Sequence, residues 1–252
     1  MKLVFDERFR TASYADDNAS MPGRIDAAMS GIDSRRWGLV APSPATVEQL
    51  CLAHDRAYVE RISGQEALFS MASLAAGASI LAADIAFGGE PAFACLRPPG
   101  HHASRGSAWG YCVFNNIAIA LLALKAAGSI ESAFVIDIDQ HTGDGTRNIL
   151  ADWKDAEAFN PYEEDAGAYV RLVEARLASL REVSIIGVSA GFDGYLLDVG
   201  HKLSTSDFRE IAALIRDASR RVSGGRRFAV LEGGYYLPDF GANLRAFCEG
   251  FE

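Results

Sequence analysis

Short runs of β-branched and apolar residues alternate along this chain with longer stretches that suit helices. Residues 93–96, 133–138, 183–188 and 227–231 are continuous enough in apolar side chains to be strands. Between them, the alanine-rich segments 67–86 and 117–127 are predicted to be helices packed on a sheet. Residues 207–222 read as a more amphipathic helix, with Phe208, Ile211, Leu214 and Ile215 at helical spacing. The alternation predicts an α/β fold with a largely parallel sheet. The most polar interval, 152–167, reads as a loop. No repeat or Pro/Gly/Ser-rich linker divides the chain, so residues 1–252 are expected to form one domain.

With 252 residues, 49% of them hydrophobic, the chain can bury a large core. A balance of 24 basic against 33 acidic residues leaves −9, which argues against an electrostatic grip on nucleic acid and is compatible with a cationic substrate. Cys51, Cys95, Cys112 and Cys248 are widely separated and form no CxxC pair, so neither a disulfide framework nor a thiolate metal site is expected; they read as buried, reduced thiols. The first ten residues have no signal-peptide core, and no stretch reads as a membrane span. A cytoplasmic protein without a membrane partner is expected.

Each of the four strands is followed at once by polar or glycine-rich residues, and ligands in open parallel sheets bind outside the carboxyl ends of the strands. After the first comes Arg97-Pro98-Pro99-Gly100-His101-His102, a stiff turn presenting adjacent histidines. After the second, strand alternation sends Asp137, Asp139 and His141 to one side, and such groups need a partner because buried charge is costly unless paired or metal-bound. After the third, Asp193 completes with Asp139 and His141 three ligands for a catalytic zinc, leaving a fourth position for water. After the fourth comes Glu232-Gly233-Gly234-Tyr235-Tyr236, where the glycines permit close backbone approach and a tyrosine can donate to a developing oxyanion. Gly143-Asp144-Gly145 lacks the third glycine of a dinucleotide fingerprint, which sets that reading aside.

Taken together, Pro22-Gly23-Arg24, the segment 45–59, the tandem-histidine turn, the segment 110–116, the segment 137–146, the segment 189–194 and Glu232-Gly233-Gly234-Tyr235 resemble the histone deacetylase superfamily, which includes acetylpolyamine amidohydrolases. The resemblance implies the arginase/deacetylase fold, a parallel sheet with helices on both faces. It implies that Asp139, His141 and Asp193 hold Zn2+ or Fe2+, and that His102 acts as general base and acid. It pairs His101, as electrostatic support, with Asp137 and pairs His102 with Asp144, and it makes Tyr235 the catalytic tyrosine. Tyr111 would line a substrate tunnel, with Gly110 and Gly234 beside the bound substrate. The implied activity removes an acyl group, acetyl above all, from the amine of a small molecule or an acyl-lysine-like group.

Three departures from the family pattern carry expectations of their own. Thr142 stands where a second histidine is usual. The region 147–182 is short and is expected to lack a strand and the opposite tunnel wall, which leaves K+ binding in doubt. The region 62–67 is also short, so a monomer or weak oligomer with an open site is expected. Competing readings are a catalytically weak or inactive relative that binds metal and a ligand or partner, and an arginase-like enzyme with two manganese ions. The latter fares poorly with five histidines and one visible three-ligand set.

Overall fold

The four apolar runs fall on the four central strands of a sheet, where a strand is buried on both faces. The computed structural model describes residues 1–11 and 13–252. Among these, β1 (Lys2–Val4), β2 (Gly38–Val40), β3 (Ala92–Ala94), β4 (Ala133–Asp137), β5 (Ala156–Phe159), β6 (Ile185–Ala190) and β7 (Arg227–Leu231) form one parallel sheet in the order β2-β1-β3-β7-β6-β4-β5. Every residue of β3, β4, β6 and β7 is buried. The register stands Ala94, Val230, Ser189 and Asp137 in one row across these strands, so the segments that follow them emerge side by side at one edge.

The helices are α1 (Arg24–Met29), α2 (Val47–Leu50), α3 (Arg56–Ser63), α4 (Glu66–Phe87), α5 (Asn116–Ala126), α6 (Asp144–Leu150), α7 (Ala166–Ser179), α8 (Thr205–Val222) and α9 (Leu237–Phe251). Helix α4 packs on β1, β3 and β7 and against α5 on one side of the sheet, while α1, α9, α8 and α7 form a contiguous layer on the other. Phe247 of α9 meets Phe93 of β3 edge to face, with 5.8 Å between ring centres. Helix α8 starts at a Ser204–Asp207 capping box and buries Phe208, Ile211 and Ile215 as its pattern predicts, with Leu214 half-buried at the margin.

Three expectations need correction. Residues 156–159, read as loop, are β5, an edge strand paired to β4 from Ala133↔Ala156 to Ile136↔Phe159. Four residues with half-exposed side chains carry too little apolar pattern to announce a strand; hydrogen bonds to β4 decide it. The region 147–182 therefore retains a strand, at the sheet edge next to β4. Second, α4 has the length and mean hydropathy, 1.6, of a membrane span, although 61% of that window is buried inside the protein. It is apolar all round because sheet, α5 and neighbouring loops cover most of its surface. Third, Cys51 is only partly buried, whereas Cys95, Cys112 and Cys248 are buried free thiols as expected. Two residues, Gly64 and Gln65, join α3 to α4.

Candidate metal centre and active site

The row Ala94–Val230–Ser189–Asp137 places the ends of β3, β7, β6 and β4 around one cavity of about 380 Å³. Its walls include His101, His102, Trp109, Tyr111, Asp139, His141, Val199 and Tyr235.

At its floor, one ligand atom from each of Asp139, His141 and Asp193 lies within 4.8 Å of the other two. Backbone N–H groups orient the carboxylates: Gly233 donates to Asp139 Oδ2 at 2.9 Å, His141 to Asp139 Oδ1 at 2.9 Å, and Gln140 to Asp193 Oδ1 at 2.9 Å. Asp193 Oδ2 is buried without a hydrogen-bond partner, although His141 Nδ1 stands 2.9 Å away. Glycines make room for this convergence, since a Cβ on Gly191 would stand 2.2 Å from Asp139 Oδ2.

The electrostatics match that geometry. Burial and the neighbouring Asp139 charge push Asp193 up to about 6. Burial acts on Asp139 in the same direction, but His101 and His141 outweigh it and hold its carboxyl below the usual range. The hydrogen bond to Asp139, then the adjacent Asp193 carboxylate, pulls His141 up to about 10. Two buried carboxylates and an orphaned oxygen thus favour positive charge between them, and an oxygen, oxygen, nitrogen donor set fits a divalent ion of the zinc type.

Above this floor stand the tandem histidines, both 3% exposed, with ring centres 4.0 Å apart. His101 Nδ1 lies 3.0 Å from Asp137 Oδ2, and His102 Nδ1 lies 2.7 Å from Asp144 Oδ1. Each carboxylate thereby fixes its ring with the Nδ1 proton inward and Nε2 free for chemistry. Burial, then the charge of His101, lowers His102, which keeps it a neutral acceptor. Burial also opposes charge on His101, but Asp139 and Asp137 prevail and raise it well above the ordinary value.

Tyr235 closes the opposite wall. Burial raises its hydroxyl far above the usual phenol range, so it remains a proton donor. Its backbone turn is held by Asp198, whose Oδ2 accepts from Tyr235 N at 2.5 Å and Tyr236 N at 2.8 Å. Buried Arg24 donates to the carbonyls of Glu232 and Gly234 and sits over the Tyr235 ring. This accounts for the Pro22-Gly23-Arg24 motif. Tyr111, at φ 66°, meets Tyr235 edge to face at 6.1 Å. Gly110 lines the cavity; Gly233 does as well, while Gly234 stands one position behind it, against Phe192 and Phe240. The strand β5 is followed by Asn160, whose Nδ2 reaches the Asp137 carbonyl at 3.5 Å.

Four residues that sequence reasoning left without a role support the site. Glu232, fully buried and pushed by burial up to about 7, accepts from Gly100 N, His101 N and Ser189 Oγ, tying β7 to the histidine turn. Asp198 shapes the tyrosine turn, and His54 clamps the loop beyond His102. Trp109 stacks on His102. A carboxylate between an apolar strand and two glycines was a readable signal for Glu232; the others become visible only in three dimensions.

Comparison with known proteins agrees with this architecture. The histone deacetylase domain model matches residues 19–170. The histone deacetylase-like amidohydrolase of Pseudomonas aeruginosa is 32% identical, over 83% of this chain and 70% of that protein. The acetylpolyamine amidohydrolase of Mycoplana ramosa is 32% identical, over 74% of this chain and 62% of that protein. In fold, the crystal structure of the HDA15 HD domain superimposes with a TM-score of 0.84, covering 99% of this chain and 88% of that one at 22% identity. With the family model spanning more than half its length, this chain belongs to the histone deacetylase family, a family of hydrolytic deacetylases.

Proposed function

We propose that this protein is a zinc-dependent amidohydrolase that removes an acyl group, typically acetyl, from an amine of a small molecule or acyl-lysine-like substrate. The observation that carries the reading is one cavity holding a three-ligand metal set, two carboxylate-paired histidines and a half-buried tyrosine. Zinc on Asp139, His141 and Asp193 would polarise the acyl carbonyl and acidify the attacking water.

The chain's own residues supply the rest. His102 Nε2, free because Nδ1 faces Asp144, takes the water proton and later delivers it to the leaving amine. The Tyr235 hydroxyl donates to the oxyanion that develops on the acyl oxygen, and His101, held by Asp137, adds positive potential. Tyr111 and Trp109 offer aromatic walls to an aliphatic stem. The net charge of −9 and the names of the amidohydrolase and acetylpolyamine relatives support a cationic acylated amine.

Zinc-loaded protein should hold one ion per chain and turn over at least one member of a panel of acetyl-lysine peptides, acetylpolyamines and small acetamides. A panel with zero turnover by fully loaded protein refutes the proposal and favours a ligand-binding relative. Two ions per chain would favour an arginase-like centre instead.

A further inference from the structure

Asp144 presents an unusual problem for a residue that must hold a catalytic ring still. Its side chain is 50% exposed, whereas that of its partner His102 is 4% exposed. A carboxylate open to water can turn about its last torsion and exchange its imidazole contact for solvent. Here both oxygens are occupied. His102 Nδ1 takes Oδ1 at 2.7 Å, and the indole Nε1–H of Trp109 donates to Oδ2 at 3.0 Å. The same indole stacks on the His102 ring, with 3.7 Å between centres and 30° between planes. Three side chains therefore close a ring of contacts, each touching the other two.

The backbone is shaped for this arrangement. Gly110 follows Trp109 at φ 59°, and a Cβ there would stand 2.5 Å from His102 Cδ2. Glycine thus lets the 109–110 turn lie directly against the imidazole. Trp109 is itself 55% exposed, an unusual place for so large an apolar ring unless its contacts or a ligand hold it there.

We propose that Trp109 is a positioning residue that completes a His102–Asp144–Trp109 triad, locking the carboxylate by its N–H and the imidazole by its face. The inference rests on the reading of His102 as general base. It predicts an effect on the chemical step more than on binding, because a misaligned base costs turnover while the metal and tunnel still hold substrate.

The test pairs kinetics with a readout that needs no turnover. In Trp109→Phe, which keeps the stack and loses the N–H, kcat should fall about tenfold, in keeping with a hydrogen bond to a charged group, with KM changed less than about twofold. In an Asp144→Ala background the same substitution should change kcat less than about twofold, because the indole then has no carboxylate to hold. Equal losses in both backgrounds, or a loss confined to KM, overturn the proposal. In a proton–nitrogen NMR spectrum, the indole resonance missing from Trp109→Phe identifies Trp109, and it should move upfield in Asp144→Ala. An unmoved resonance also overturns the proposal. If the wild type turns over no substrate but the resonance still moves in Asp144→Ala, the triad is supported and the hydrolytic reading is refuted.

Discussion

His54 makes a sharp test of how the histidine loop is held. It is 3% exposed, and both ring nitrogens are engaged. Nδ1 donates to the Ser104 carbonyl at 2.9 Å, and Nε2 accepts from the backbone N–H of Asn115 at 2.9 Å, just ahead of α5. This arrangement admits only the neutral ring, since a proton on Nε2 would face another donor. Burial holds the imidazole down to about 4, against an ordinary 6.5, although the carbonyls of Ser104 and Arg105 pull it back in part. Between these values the unfolded chain binds a proton that the folded chain refuses. Stability from this group is complete above pH 6.5 and is lost as pH falls toward 4. The difference corresponds to about 3 kcal/mol in total, of which roughly 2 kcal/mol is gone by pH 5. Urea unfolding of the wild type and His54→Leu at pH 7.5 and pH 5 isolates the effect, because other titrations cancel in the comparison. The variant should lose about 2 to 4 kcal/mol at pH 7.5, from two backbone groups left unpaired, but should be about 2 kcal/mol less sensitive to acid. An equal acid loss in both proteins, or a wild-type His54 NMR titration midpoint near 6.5, would refute the argument.

Three further outcomes follow from the site. Tyr235→Phe should reduce kcat by about 10²–10³ with little change in KM, as expected for removal of one oxyanion donor; steady-state rates that fall less than tenfold would remove Tyr235 from that role. Gly191→Ala places a methyl 2.2 Å from Asp139 Oδ2, so zinc affinity measured by competition with a chelator should drop by at least about 100-fold, and unchanged affinity would mean the two strand ends do not meet as described. Asp198→Ala leaves the N–H groups of Tyr235 and Tyr236 unpaired, and kcat should fall about tenfold while zinc content stays at one per chain; parallel loss of zinc would show that the Asp198 turn supports the floor as well.

What the sequence determined by itself was local. Short continuous apolar runs bounded by glycine and polar residues specify strands β3, β4, β6 and β7, since a buried parallel strand is covered on both faces. Asp137, Asp139 and His141 cluster at one strand end in the sequence itself, but β4 stops at Asp137, and the bend that follows, not strand alternation, carries Asp139 and His141. Because each motif follows its strand directly, the active edge of the sheet was also legible. Tertiary structure decided which strands are neighbours. The order β3-β7-β6-β4 departs from chain order, β7 standing between β3 and β6, and it is this order, with Ala94, Val230, Ser189 and Asp137 in one row, that gathers residues from positions 101 to 235 around one cavity. Strand β5 escaped the sequence reading because its pattern is weak and hydrogen bonds to β4 define it. The spanning length of α4 was likewise overlooked, since apolar residues all round a helix signify burial whether a membrane or a protein core provides it. The supporting contacts of Trp109, Asp198 and His54 span 35, 37 and 61 positions, and no local periodicity encodes pairings at such separations. Residue types and their strand-end positions announce the chemistry; the packing of distant segments sets its distances.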